Sequence, residues 1–143
     1  LDGVDDPHNI GACLRTADAV GVDAVVVSKN RSPGITPVVR KVASGAADTV
    51  PFIEVSNLAR TLQQMKDNDV WVIGTAGETD TSIFDCKPSR KMALVMGAEE
   101  KGLRRLTRES CDELVKIPMA GSVESLNISV ATGICLYELQ RKQ

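Results

Sequence analysis

Five short runs rich in valine and isoleucine constrain the fold of this chain more than any other feature of its sequence. In chain order they are DAVVVS, VPFIEV, VWVIG, MALVM and ELVKIP. Their apolar residues are continuous and do not alternate with polar ones, which is typical of strands buried on both faces of a mostly parallel sheet. Such a sheet needs helices over its faces, so the sequence predicts an α/β fold with a mostly parallel sheet covered by helices.

The intervening segments supply those helices. Apolar residues recur at helical spacing from Ile10 to Val20, and Gly21 is a typical helix stop. Further helices are predicted near Pro37 to Ala47, from about Asn57 to Asp67 with Ser56 as its cap, around Leu103 to Ser110, and from about Leu126 to Arg141. Leu1 to Val4 is expected to be the tail of a strand. Because buried strands usually need five or six residues, we expect the chain to begin partway into an element of a longer protein.

Size and composition indicate one small domain, residues 1–143. A chain of 143 residues with 43% hydrophobic composition can bury one core. Its four cysteines lie far apart with no CxxC pair, so we expect reduced thiols, a cytoplasmic protein and no zinc site. No apolar run approaches the roughly 18 residues that a membrane span requires, which predicts a soluble protein.

Charge is distributed unevenly along the chain. The net charge is −2, which argues against binding nucleic acid through overall electrostatics, but residues 87–108 carry +5 and the remainder −7. A local excess of positive charge is typical either of a phosphate-binding face or of a solvated helix surface, and charge alone leaves both open. Aromatic residues make up only 3% of the chain, so a base-stacking platform for single strands is poorly supported.

Three polar, glycine-bearing loops are the chief functional signal. They lie within Leu1–Ala19, Leu94–Arg105 and Ile117–Gly133, each at the carboxyl end of an apolar run. The carboxyl ends of parallel strands meet at one edge of a sheet, where open α/β sheets bind ligands. In the last loop a helix cap such as Ser125 or Asn127 accounts for one polar side chain. A ligand better explains the other hydroxyl and amide groups.

Within these loops the segments DPHNIGACLRTADA, MGAEEKG and IPMAGSVESLNISVATG occur in that order. They resemble the three motifs of the SpoU (TrmH-like) class of SPOUT RNA 2′-O-methyltransferases over nearly the whole chain, and look most like the bacterial 23S rRNA guanosine-2′-O-methyltransferases. The resemblance implies S-adenosyl-L-methionine as methyl donor and an RNA ribose 2′-hydroxyl as acceptor. It also implies a homodimer that shares catalytic groups, a C-terminal trefoil knot in about residues 94–143, and a separate N-terminal RNA-binding domain absent from residues 1–143.

The family's catalytic motif residues carry over to this sequence as Asn9, Arg15, Glu99, Ser125 and Asn127. Methyl transfer requires a donor and a hydroxyl held in line, and stabilisation of the alkoxide as its proton leaves. Arginine stays protonated in proteins, so we expect Arg15 to hold the target phosphate and stabilise negative charge. Glu99 is expected to hold its loop or to pair with Asn9 or Arg15. Glu100 stands where relatives frequently have glycine, which raises the question of which acid faces the site, and the register of the motif favours Glu99.

The remaining motif residues have simpler expected roles. Asn9 reaches the same site as Arg15 if it caps the first helix, while Ser125 and Asn127 are expected to hold the acceptor ribose and their own loop. His8 is the only histidine. A lone loop histidine is more often a surface group, and the family does not require it for catalysis.

Cofactor recognition is expected to use main-chain groups, because free N–H and C=O groups can satisfy adenine while apolar side chains enclose its faces. The residues expected to bind the cofactor are Met96, Gly97, Ile117, Met119 and Leu126 in the motif loops, and Thr75, Ala76 and Gly77 in the turn beside those loops. RNA phosphates are expected at Lys101, Arg104 and Arg105. No metal and no membrane is implied.

Several other functions compete with this interpretation. A tRNA 2′-O-methyltransferase of the same class remains open, whereas a catalytically idle RNA-binding module is disfavoured because all five motif residues are present. An NTPase is rejected, since GAEEKG is followed by Leu103 and Arg104 where a P-loop has Lys and Ser or Thr. A generic nucleotide or flavin binder is disfavoured because no GxGxxG follows the first strand.

Overall fold

The computed structural model describes residues 1–143 and contains six α-helices and five strands. In chain order these are α1 (Pro7–Val20), β1 (Val25–Ser28), α2 (Pro37–Ala43), α3 (Ala46–Thr49), β2 (Phe52–Val55), α4 (Leu58–Asp67), β3 (Trp71–Thr75), β4 (Met92–Val95), α5 (Arg105–Glu109), β5 (Glu113–Val115) and α6 (Ile128–Arg141).

Every strand pair is parallel, which confirms the α/β fold predicted from the continuous apolar runs. β1 pairs with β2, and a second sheet has the order β4-β3-β5. The first two residues link the sheets: Leu1 N donates to Val26 O and Asp2 N donates to Met96 O, both at 2.8 Å. Of the expected strand tail at the start of the chain, only Asp2 pairs, in a parallel bridge with Gly97.

Helices cover both faces of the sheets. α1, α2, α3 and α6 lie on one face, while α4 packs on the other through Leu58 and Leu62. The adjacent residues Val72 and Ile73 of β3 point to opposite faces and are both fully buried, as predicted for a central strand. The same prediction is wrong for β2, where Ile53 is 45% exposed, because that strand lies at the sheet edge.

The first helix is specified by local sequence at both ends. α1 begins at Pro7, and the Asp6 carboxylate accepts a hydrogen bond from His8 N at 2.9 Å. It ends at Gly21, whose φ of 84° is the left-handed conformation that glycine adopts readily. The expectation that Asn9 caps this helix is therefore wrong, because Asp6 occupies the cap and Asn9 lies in the first turn.

Two other helix predictions also need correction. The cap of α4 is Asn57, whose side chain accepts from Arg60 N at 3.0 Å, and not Ser56. The helix predicted near residues 37–47 is two short helices, because Ser44 and Gly45 have φ values of 54° and 95° that end α2 before α3 begins.

No helix of the structure has both the length and the apolar character needed to cross a membrane. The structure also contains no group of three or more His, Cys, Asp or Glu side chains that could hold a metal ion. All four cysteines are free. Burial raises the pKa of the Cys111 thiol to about 11 and that of Cys135 to about 12.

Candidate active site

The amino end of α6 brings together three of the five catalytic motif residues. The side-chain amide of Asn127 donates to Glu99 Oε1 at 2.9 Å and to Asn9 Oδ1 at 3.2 Å. Glu99 Oε1 also accepts from the backbone N of Ile128 at 3.0 Å. Residues from α1, from the loop after β4 and from the start of α6 therefore form one hydrogen-bonded cluster, which we call the Asn9–Glu99–Asn127 cluster.

Helix capping explains why Asn127 points its amide at the other two residues. Asn127 is the N-cap of α6, and its Oδ1 accepts from Ser129 N at 2.9 Å and from Val130 N at 3.4 Å. Because the oxygen is committed to the helix, Nδ2 faces Glu99 and Asn9. The Glu99 carboxylate also lies at the positive end of the α6 dipole, which favours a negative charge there.

The structure distinguishes the two acids of the loop. Glu99 contacts the cluster, whereas Glu100 is exposed and forms no side-chain hydrogen bond or ion pair. The expected pairing of Glu99 with Asn9 or Arg15 is not seen: Glu99 binds Asn127 directly and meets Asn9 only through that amide. The carboxylate therefore ties the loop after β4 to α6.

Arg15 and Ser125 lie outside these contacts. Arg15 is exposed on α1 and forms no hydrogen bond or ion pair within the chain. Six residues of helix separate it from Asn9, which is about 9 Å along the axis. Ser125 is exposed and bonds to nothing, because Asn127 is the cap. Both side chains are free to contact a substrate.

The carboxyl ends of three neighbouring strands lie beside this cluster. β3 is central, with Gly74 opposite Val95 of β4 and Thr75 opposite Val115 of β5. Ala76 N donates to Val115 O at 2.9 Å, so the Thr75-Ala76-Gly77 turn leaves the sheet between the loops that follow β4 and β5. These are the positions expected to bind the cofactor.

Gly97 allows the loop after β4 to fold back on itself. A Cβ at this position would lie within 2.5 Å of Leu103 N and closer still to the Gly102 carbonyl carbon. Gly102 N donates to Ala98 O at 2.8 Å, which closes the turn. Only glycine fits such a backbone approach.

The loop after β5 carries unpaired main-chain groups. The backbone N–H and C=O groups of Ile117, Met119 and Leu126 form no hydrogen bond within the chain, so they can serve a bound adenine. Met96, by contrast, is 3% exposed and its carbonyl accepts from Asp2 N. Met96 therefore lies in the hydrophobic core, and its role in cofactor binding stays a prediction.

The basic segment 87–108 does not form one face. Lys87, Arg90 and Lys91 precede β4 and the other four basic residues follow it, so a strand separates the two groups. Lys101 is exposed on the loop. Arg104 and Arg105 line a polar cleft beside α5.

Sequence reasoning missed Asp2. Its side chain is 1% exposed, and its Oδ2 accepts from Arg104 N at 2.7 Å. This bond anchors the far end of the loop that carries Glu99. No local pattern distinguishes Asp2 from the exposed acids that follow it, because its burial depends on contacts 102 residues away.

Relatives of known activity cover the whole chain. It is 61% identical over 143 residues to the 23S rRNA (guanosine-2′-O-)-methyltransferase RlmB of Yersinia pestis and 59% identical to that of Escherichia coli K12. These matches include 100% of this chain but 58% and 59% of those proteins, so the chain spans about three-fifths of the length of the curated relatives it matches.

Solved structures show the same fold. The Aquifex aeolicus TrmH/SpoU tRNA modifying enzyme superposes with a TM-score of 0.89 at 31% identity, covering 99% of this chain and 72% of that one. The SpoU methyltransferase AviRb from Streptomyces viridochromogenes, in complex with the cofactor AdoMet, gives a TM-score of 0.91 at 29% identity, covering 99% and 55%.

A family model matches almost the entire sequence. The model is described as the SpoU rRNA Methylase family, and it covers residues 1–137. The Asn9–Glu99–Asn127 cluster unites all three segments that carry the sequence resemblance. The chain belongs to the SpoU rRNA methylase family.

Proposed function

We propose that this chain transfers a methyl group from S-adenosyl-L-methionine to a ribose 2′-hydroxyl of RNA, specifically a guanosine of 23S rRNA. The observation that carries the proposal is the Asn9–Glu99–Asn127 cluster beside the carboxyl ends of β3, β4 and β5. The names of the relatives at 59–61% identity support the choice of rRNA over tRNA, since the tRNA-modifying structural neighbour is only 31% identical.

The cofactor site is proposed at the edge formed by Thr75–Gly77, Gly97 and the Ile117–Leu126 loop. S-adenosyl-L-methionine supplies an activated methyl group on a sulfonium, so this chain needs to hold it rather than activate it. The unpaired backbone groups after β5 fit adenine, and Gly97 sets the path of the neighbouring loop after β4. The AdoMet complex of AviRb supports the identity of the cofactor.

The catalytic residues are proposed to act by position and charge. If bound there, S-adenosyl-L-methionine would give its methyl group to the 2′-oxygen and leave as S-adenosylhomocysteine, while the hydroxyl proton would pass to solvent. The oxygen would carry negative charge as its proton leaves, before the new bond is complete. Arg15 is exposed and unpaired, so its guanidinium is available to the target phosphate and that oxygen. Ser125 is proposed to hold the ribose. Asn9, Glu99 and Asn127 are proposed to hold α1, the loop after β4 and the start of α6 together.

We further propose a homodimer that buries part of α6. Val130 and Tyr137 lie seven residues apart on one stripe of this helix and are each 52% exposed, and Val123 just before it is 62% exposed. Sedimentation equilibrium is expected to show a dimer that Tyr137→Glu weakens. Phe84→Glu, at an exposed apolar residue on another segment, is the matched control. A monomeric parent chain would contradict this proposal.

The trefoil knot of about residues 94–143 remains a proposal that one contact supports. Lys142, at the end of α6, donates to the carbonyl oxygens of Ile83 and Cys86 at 3.3 and 2.8 Å. The turn at Ile83–Cys86, between β3 and β4, therefore contacts the end of the last helix through the side chain of Lys142. An experimental crystal structure that traces this crossing would test the knot.

We propose that the chain is the catalytic domain of a longer cytoplasmic protein whose N-terminal RNA-binding domain selects the substrate. The greater length of the curated relatives supports this proposal.

Binding and transfer experiments separate the competing functions. Isothermal titration with S-adenosyl-L-methionine, S-adenosylhomocysteine and FMN is expected to detect the first two ligands only. Methyl transfer from radiolabelled donor to 23S rRNA fragments is expected to exceed transfer to tRNA. A folded protein that binds neither S-adenosyl-L-methionine nor S-adenosylhomocysteine at millimolar concentration would contradict the proposed function. Preferred transfer to tRNA would identify tRNA, and not 23S rRNA, as the substrate.

A further inference from the structure

A polar cleft of about 590 Å³ lies apart from the Asn9–Glu99–Asn127 cluster. Its walls come from the turn after β1, from the amino end of α4 after β2, and from the start of α5. Only three of its twelve lining residues are hydrophobic. The cleft therefore offers polar groups from separate parts of the chain to one ligand.

Three arginines from two distant segments line this cleft: Arg31, Arg104 and Arg105. Arg31 forms no ion pair and no hydrogen bond through its side chain, and it is exposed. Arg105 pairs only with Glu109 at 3.5 Å, where both side chains are mostly solvated and the pair is weak. The one acid lining the cleft is Asp2. The cleft thus carries an excess of available positive charge.

The amino end of α4 adds to this positive field. Leu58 and Ala59, in the first turn of this ten-residue helix, line the cleft beside the cap Asn57. The first N–H groups of a helix have no intrahelical partner, and the helix dipole favours an anion beside them. Phosphate is the anion that both arginine forks and helix ends bind well.

Asp2 fixes the position of Arg104 at this cleft. Its Oδ1 is the only buried side-chain polar atom in the structure without a hydrogen bond, and Asp2 lines the cleft floor. The nearest cation, Arg104 Nε, is 4.0 Å away. This oxygen has almost no exposed surface, so a ligand in the cleft does not reach it. The other oxygen, Oδ2, accepts from Arg104 N and holds that residue at the cleft wall.

We propose that this cleft binds the phosphodiester backbone of RNA close to the nucleotide being methylated. The proposal rests on the proposed function. One short loop connects the Asn9–Glu99–Asn127 cluster to the cleft, because Glu99 belongs to the cluster and Arg104, five residues later, lines the cleft. Asp2 fastens this loop at both ends through Gly97 and Arg104. RNA held by the cleft passes the catalytic cluster.

Salt-dependent binding of a fluorescent single-stranded RNA oligonucleotide tests the proposal in the full chain. Arg31→Ala is the decisive single variant, since Arg31 lies outside the basic segment 87–108. We expect the triple variant Arg31→Ala, Arg104→Ala, Arg105→Ala to lose at least tenfold in affinity at low salt. Each lost phosphate contact should flatten the slope of log affinity against log salt by about 0.7. Arg40→Ala removes the same charge from α2, outside the cleft, and is expected to behave like the parent.

The outcomes separate this proposal from the proposed function. Unchanged salt slope and affinity in the triple variant, with S-adenosyl-L-methionine still bound by the parent, would overturn the cleft and leave the methyltransferase assignment intact. If the parent fails to bind S-adenosyl-L-methionine but Arg31→Ala still weakens RNA binding, the cleft stands and the enzyme assignment falls.

Discussion

At the residue scale, Asn127 performs two separable tasks with one side chain. Its oxygen caps α6 and its nitrogen bonds Glu99 and Asn9. A hydrogen-bonded amide at this point therefore couples the folding of the last helix to the geometry of the catalytic cluster. Substitutions that remove one task or both can distinguish structure from chemistry.

Asn127→Ala is expected to lower the free energy of unfolding by about 1 kcal/mol through loss of the cap, and to abolish methyl transfer. Asn127→Ser keeps a good capping residue but lacks the amide donor to Glu99. We expect its stability in urea melts to be close to that of the parent, while transfer is still lost. Full activity of the serine variant would show that the amide donor is dispensable.

Arg15→Ala is expected to reduce methyl transfer about a hundredfold, which corresponds to roughly 3 kcal/mol of transition-state stabilisation. Because Arg15 is exposed and forms no hydrogen bond or ion pair within the chain, the stability should be close to that of the parent, and the affinity for S-adenosyl-L-methionine should stay within a few-fold of it. Transfer assays and isothermal titration on the same preparations measure both quantities. Arg40→Ala serves as the control, and an active Arg15→Ala enzyme would remove Arg15 from the mechanism.

At the element scale, the loop between β4 and α5 is the part of the fold that most directly positions the site. Its start is packed against its own end at Gly97, Glu99 in its middle binds α6, and Arg104 at its end binds Asp2. A change in the path of this loop would therefore alter the proposed cofactor site, the Asn9–Glu99–Asn127 cluster and the polar cleft together.

Gly97→Ala is expected to abolish cofactor binding, because the new Cβ would overlap the backbone of Gly102 and Leu103, which cannot rotate away. Gly133→Ala is the matched control: its Cβ would meet only Thr16 Cγ2 at 3.7 Å, and alanine favours the interior of α6 by about 1 kcal/mol. Isothermal titration and thermal melting measure the two effects. Parent-like cofactor affinity in Gly97→Ala would mean that the loop can take another path.

At the scale of the whole molecule, the buried thiols make stability depend on pH. The pKa of Cys135 is raised by burial to about 12, against 9.0 in an unfolded chain, so the folded state keeps a proton that the unfolded state loses. This contribution is fully present below pH 9 and is lost as pH rises towards 12. Its slope is at most about 1.4 kcal/mol per pH unit for each thiol.

Cys135→Ala is expected to be less stable than the parent at pH 8, because it leaves a small cavity, but to lose less stability between pH 9 and 11. Urea melts across that range measure the difference in slope. Equal slopes in the two proteins would show that Cys135 does not titrate differently in the folded state.

The sequence by itself determined the elements and the segments that carry function. Continuous apolar runs predict the parallel strands, and Gly21 marks the end of α1, because periodicity and capping depend on residues a few positions apart. The motif residues Asn9, Glu99 and Asn127 were also found from sequence, through resemblance. Local signals were weaker at helix starts, where Asp6 and Asn57 act as caps in place of the expected Asn9 and Ser56.

Only the tertiary structure decided which of these residues meet. The order β4-β3-β5 sets the loops after three strands side by side, and the hydrogen bonds of Asn127 span 118 and 28 residues of chain. The same long-range packing buries Asp2, divides the basic segment between the two ends of β4 and brings Arg31 to Arg104. Such contacts depend on the path of the whole chain through space, and a pattern of neighbouring residues does not determine that path.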